Sequence, residues 1–196
     1  MGAGCSVRGH SRVAPHYPGT RRVLFCGMGR SGKSTLKDWV LRAANATNID
    51  DESMSVMPQP LRTKTTNVHV LKDETLAFVD TPDMLNLDGQ TLMLDSSAEN
   101  RVAAIVFVVD VTDHLRSVLA MELLRNTLKR LHQHTRPGVL ALVVGNHRHT
   151  EEDVLVDLDS FKEALPSDIA AHYDVRTMSF TTAQDVSELM QKVVNL

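Results

Sequence analysis

Short apolar runs divide the chain. Val23-Leu24-Phe25-Cys26, Ala103 to Val109 and Val139 to Val144 are apolar at every position. Uninterrupted runs of this length read as central parallel strands buried on both faces. Thr66 to Val70 and Thr75 to Val79 instead alternate around Lys72-Asp73-Glu74, the signature of an antiparallel hairpin. Tyr173 to Phe180 supplies a last strand. Helical spacing appears between these runs. Leu36, Trp39, Val40, Ala43 and Ala44 predict a helix over 34–45. Leu115, Val118, Leu119, Leu123, Leu128 and Leu131 predict the apolar face of a second helix over 114–134, closed by Pro137-Gly138. A weak helix toward Glu99, a short helix over 161–165 and a last helix over 186–194 complete the set. Strands alternating with helices imply an α/β fold of three layers, with a mostly parallel six-stranded sheet and one antiparallel edge strand.

Composition narrows the class. A chain of 196 residues that is 42% apolar can bury one sizeable core. Residues 1–20 hold Gly, Pro and Arg without periodicity and read as a flexible tail, leaving 21–196 as the domain. The net charge of -3 offers no field for gripping nucleic acid, so no nucleic-acid partner is expected. The 2 cysteines, Cys5 and Cys26, cannot build a disulfide framework and suit a reducing compartment. No apolar run is long enough to span a bilayer, so membrane contact would need an anchor.

The chemistry-bearing motif lies between the first strand and the first helix. Gly27-Met28-Gly29-Arg30-Ser31-Gly32-Lys33-Ser34, followed by Thr35, fits G-x-x-x-x-G-K-[ST] at every fixed position. Its glycines allow backbone N–H groups to curl around a phosphate, and the helix that follows adds the positive end of its dipole. Lys33 is then the cation for the β- and γ-phosphates, and Ser34 the hydroxyl for Mg²⁺. Without a ligand, the same residues would be a glycine-rich strand-to-helix turn.

The order of elements around this motif resembles the G domain of Ras-superfamily small GTPases over 21–196. That resemblance implies GTP or GDP and Mg²⁺ as cofactors. It carries the metal-shell aspartate onto Asp80, at the end of Leu76-Ala77-Phe78-Val79-Asp80, and the first-switch threonine onto one of Thr63, Thr65 and Thr66, of which Thr65 is chosen by its distance back from the hairpin. It carries the base motif onto Asn146 and His147. Two departures follow. The D-x-x-G motif becomes Asp80-Thr81-Pro82-Asp83, which lacks both the γ-phosphate-sensing glycine and an adjacent water-positioning Gln. The N-K-x-D motif becomes Asn146-His147-Arg148-His149, which offers an imidazole where a carboxylate would accept two hydrogen bonds from guanine. Slow hydrolysis and modest guanine selectivity are the expectations, and no residue is assigned as catalytic.

Met1-Gly2-Ala3-Gly4-Cys5-Ser6 fits the acceptor pattern for myristate on Gly2, with Cys5 placed for palmitate. Two acyl signals give stable attachment where one exchanges. An N-terminal myristate on a G domain is similar to the Arf and Arf-like branch. Rag-type GTPases and the G domain of intraflagellar transport fit the altered base motif as well. The resemblance thus implies a divergent GTP-binding protein on a cytoplasmic membrane face, acting as a switch or scaffold in trafficking or signalling, with an effector or adaptor on its switch surface. A GTPase completed by its partner and a P-loop kinase are the alternatives.

Overall fold

The computed structural model describes residues 21–45, 67–70, 76–81, 102–147, 154–180 and 183–194. Six strands form one sheet: β1 (Arg21–Gly27), β2 (Asn67–Val70), β3 (Leu76–Asp80), β4 (Val102–Asp110), β5 (Val139–Asn146) and β6 (Tyr173–Phe180). Their spatial order is β2-β3-β1-β4-β5-β6. Only β2 runs antiparallel, with Val68 opposite Val79 and His69 opposite Phe78. The mostly parallel α/β sheet is therefore as the apolar pattern predicts. β1 lies between β3 and β4, with Phe25 level with Asp80 on one side and Val106 on the other.

The side-chain period of two divides each central strand between two cores. Leu24 and Cys26 of β1, with Ile105, Phe107 and Val109 of β4, face α2 (His114–Leu131), α3 (Asp159–Glu163) and α4 (Ser167–His172). Val23, Phe25, Val106 and Val108 face the opposite side, against Leu36 and Val40 of α1 (Lys33–Asn45) and Val186, Leu189 and Val193 of α5 (Ala183–Val194). Being covered on both sides is why these strands carry no polar alternation. Trp39 of α1 packs its ring 5.1 Å from that of Phe180, closing this layer at the C-terminal end of β6.

The second half of α2 buries Leu128 and Leu131 as predicted, while its first half turns a different face inward from the one its leucines predict. Leu115, Val118 and Leu119 are 89%, 69% and 58% exposed, and the buried positions are Ser117, Ala120, Leu124, Thr127, Leu128 and Leu131. Both sets have helical spacing. The inward set wins because small residues allow α2 to approach the phosphate loop, and because its two hydroxyls need no outside partner. Ser117 Oγ donates to the His114 carbonyl (2.7 Å) and Thr127 Oγ1 to the Leu123 carbonyl (2.7 Å). The helix proper stops at Leu131 and continues as a 3₁₀ turn over His132–His134. α4 is a further addition. Its six residues carry too little periodicity to be read from sequence, and it is fixed by Ile169 in the core. The helix expected toward Glu99 lies outside the described residues.

Tyr173 ties the end of α2 to the start of β6. Its hydroxyl donates to the Leu128 carbonyl at 2.8 Å and lies 3.0 Å from Thr135 Oγ1. Burial pushes the phenol from its ordinary value of 10 up to about 12. A raised value means that the folded state favours the neutral phenol, so this contribution is complete below pH 10 and is lost as the pH rises to about 12. Tyr173→Phe should cost about 1 kcal/mol at neutral pH. Urea unfolding should show the gap between wild type and variant shrinking across pH 10 to 12; a gap independent of pH would contradict this role.

Candidate functional site

β1 delivers its chain end directly into the phosphate loop, and steric contacts set the loop's course. Gly27 has φ +141°, and a Cβ there would sit 2.4 Å from the Val108 carbonyl oxygen. Gly32 has φ +91°, and its Cβ would sit 2.2 Å from Asn146 Nδ2. Neither position admits a side chain without moving its neighbour. Arg30, at the exposed tip, adopts φ 66° despite its side chain. Ser31 N donates to the Met28 carbonyl (3.2 Å), and Leu36 N to the Gly32 carbonyl (2.9 Å), so the first turn of α1 is continuous with the loop. A loop of this kind at a helix N-terminus is an anion cradle.

Side chains from other strands and helices hold the cradle. Asn146, at the end of β5, donates from Nδ2 to the Ser31 carbonyl at 3.0 Å. Arg116, in the first turn of α2, donates from Nη2 to the Gly29 carbonyl at 2.9 Å. Asp113 caps that helix by accepting from Arg116 N at 3.2 Å. At the end of β3, Thr81 fastens the next segment to β1, its N and Oγ1 both donating to the Phe25 carbonyl at 3.1 and 3.0 Å. Cys26 lies in the same layer, where burial pushes its thiol up to about 12 against the opposing hydrogen bond with Thr81. It is therefore an inert core group.

The charges converge beside the loop. Lys33 is 5% exposed and Asp80 has no solvent exposure. One oxygen of Asp80, Oδ2, lies 3.4 Å from Lys37 Nζ; the other, Oδ1, is buried without a hydrogen-bond partner. Ser31 Oγ is likewise buried and unpartnered. Lys37 also reaches Asp38 Oδ1 at 3.1 Å. Mg²⁺ takes hard oxygen donors, and the Asp80 carboxylate with the Ser34 hydroxyl one turn above Lys37 offers that chemistry. An orphaned, fully buried carboxylate oxygen is what such an ion would satisfy, so the residues fit it.

The residues expected from sequence thus divide clearly. Gly27, Met28, Gly29, Arg30, Ser31, Gly32, Lys33, Ser34 and Thr35 form one continuous loop and helix start, with Asn146 against it and Asp80 at the neighbouring strand end. His147 continues from β5 and donates its backbone N to the Phe180 carbonyl at 3.5 Å. Thr65, Pro82, Asp83, His149, Gly2 and Cys5 lie outside the described residues. Three contributors went unread in the sequence: Lys37, Arg116 and Thr81. Lys37 carried a signal, being a charge on the buried stripe of α1 formed by positions 33, 36, 37 and 40. Arg116 carried none.

Gly27→Ala is the sharpest steric test of this loop. It meets the immovable Val108 carbonyl and a disfavoured φ together, and should cost roughly 2 kcal/mol or more of unfolding free energy. Denaturation of the variant within 0.5 kcal/mol of wild type, on the order of a neutral surface change, would show that the loop is not held as described.

Three comparisons place this geometry. A family model described as 50S ribosome-binding GTPase matches residues 22–147. No curated protein sequence matches the chain. Among solved structures, the Arl6 BBS3 small GTPase from Trypanosoma brucei, with bound nucleotide analogue GppNp, superimposes with TM-score 0.57 at 18% identity over 90% of this chain and 98% of that one. The mammalian SRP receptor gives 0.57 at 18% over 89% and 99%. The G235P variant of SsGBP gives 0.51 at 16% over 90% and 56%. These neighbours share the fold, and the family model spans more than half of the chain. The chain belongs to the GTPase family that this model describes.

Proposed function

We propose that this protein is a guanine-nucleotide-binding switch or scaffold with weak intrinsic hydrolysis, tethered to a membrane face through its N-terminus. The observation that carries the nucleotide part is the phosphate loop with positive φ at Gly27 and Gly32, its backbone fixed from outside by Asn146 and Arg116. Hydrogen bonds that hold the loop's shape from outside lower the ordering cost of binding. Lys33 supplies the side-chain charge for the β- and γ-phosphates, and Ser34 with Asp80 would hold Mg²⁺. When bound, Mg²⁺ neutralises charge across the phosphate oxygens. Weak hydrolysis rests on the sequence Asp80-Thr81-Pro82-Asp83, which lacks a γ-phosphate-sensing glycine and a neighbouring Gln. Modest preference for guanine rests on His149, whose imidazole accepts one hydrogen bond where a carboxylate accepts two. An effector or adaptor reading the switch surface would make the bound state matter without turnover.

Mass identification of the nucleotide that copurifies with the full chain tests this reading. GDP or GTP is expected, and a GTP-loaded sample should keep its γ-phosphate through a single-turnover assay. Lys33→Ala should lose tight binding, because it removes the cation that meets the phosphates. Affinity within a few-fold of wild type, or an empty wild-type protein that no guanine nucleotide saturates, would overturn it.

Tethering rests on Met1-Gly2-Ala3-Gly4-Cys5-Ser6. Among the described residues no helix is long and apolar enough to cross a membrane. Gly2→Ala should move the protein to the soluble fraction, and Cys5→Ser should give an intermediate, partly soluble population, as expected for two acyl signals of which one must act first. Fractionation that leaves Gly2→Ala fully on membranes would assign attachment to a partner of the folded domain.

A further inference from the structure

The buried stripe of α1 carries two lysines where an amphipathic helix would carry apolar side chains. Positions 33, 36, 37 and 40 are all buried, and two of the four are Lys. Lys33 belongs to the phosphate loop. Lys37, one turn further, is 4% exposed and reaches across to Asp80, whose side chain has no exposure at all. A carboxylate removed from water needs a compensating charge. In a site built around a divalent ion that charge comes from the metal; here an ammonium group of the chain itself stands 3.4 Å from Oδ2.

We propose that Lys37 is the resident counter-cation of Asp80, so that this site retains nucleotide when Mg²⁺ is removed. The inference rests on the nucleotide-binding reading and concerns what balances the charge within it. Two effects act in the same direction. With the metal gone, Lys37 keeps the buried carboxylate paired, so the metal-free site does not collapse. With the metal present, a neighbouring ammonium repels the dication, so its binding adds less. Asp38 also contacts Lys37, its Oδ1 3.1 Å from Nζ, so the ammonium is paired with two carboxylates. Lys33 is a further buried cation in the phosphate loop, so the loop keeps a positive charge for phosphate with or without Mg²⁺. Asp80 Oδ1 stays open to a metal, which makes Mg²⁺ an addition to the site and Lys37 its constant occupant.

The test compares the full-length wild type with Lys37→Met and Lys37→Arg. Dissociation constants for GDP and GppNp are measured in MgCl2 and in EDTA. The factor by which EDTA weakens binding should be at least about tenfold larger in Lys37→Met than in wild type, while Lys37→Arg behaves as wild type. Equal factors in wild type and Lys37→Met overturn the proposal, whether both are large or both are small. Thermal unfolding without nucleotide gives the second readout and does not require the variant to bind. The melting temperature of Lys37→Met should be lower than that of wild type in EDTA and recover on addition of MgCl2 alone. Wild type should respond less than the variant. A wild-type response as large as that of the variant counts against the proposal. If wild type binds no guanine nucleotide at all, the nucleotide reading fails, and the melting series still decides whether Lys37 is the cation that Asp80 relies on.

Discussion

A carboxylate without solvent contact has to be balanced, and the architecture around the phosphate loop follows from where Asp80 is buried. β3 ends at this residue, level with Phe25 of β1, so the charge lies at the seam between the central strand and the loop that β1 feeds. Desolvating an ionised group is expensive, and an uncompensated charge here would tend to unfold the strand ends or neutralise. Lys37 from α1 pairs with one oxygen. Thr81 then anchors the chain just past the charge to the Phe25 carbonyl with both its backbone and its hydroxyl. Strand, helix and loop are thereby fixed relative to one another by polar contacts, while the two apolar cores above and below set only the spacing between layers.

What the sequence reveals depends on how local the controlling physics is. Strands buried on both faces need uninterrupted apolar residues, so β1, β4 and β5 stand out in the raw sequence, and the alternation around Lys72-Asp73-Glu74 marks the hairpin. The phosphate loop is legible because Gly27 and Gly32 answer steric demands that leave few other residues. Choices between equivalent faces are a different matter. The first half of α2 carries two sets of positions with the same spacing, and the sheet receives the one with Ser117 and Ala120, because close approach and self-satisfied hydroxyls outweigh the count of leucines. That decision is made by the neighbouring loop, which no window along the helix contains. Arg116 is hidden for the same reason: its partner, the Gly29 carbonyl, is 87 residues away.

Asn146 shows how one side chain can serve two halves of a site. Its position at the end of β5 is where the family reads the base, yet its Nδ2 is spent on the Ser31 carbonyl and its amide packs against Gly32. Any movement of the β5 end is therefore passed to the loop that cradles phosphate, and the reverse. Such a link requires a residue that is short, polar and held on a rigid strand; Asn on β5 meets all three requirements.

The same link explains how the domain can tolerate a degraded base motif. Guanine selectivity in this arrangement depends on a carboxylate beyond Asn146, whereas the shape of the phosphate loop depends on Asn146 itself. An imidazole at position 149 can accept one hydrogen bond where a carboxylate accepts two, and the Asn146–Ser31 contact does not involve that position. Losing Asn146 would remove that contact. Asp80 fits the same logic: its neighbours beyond Thr81 depart from the hydrolytic pattern, while the buried carboxylate stays and brings its own lysine. The buried carboxylate and its lysine form the part of the site where removing either partner would leave a buried group unpaired.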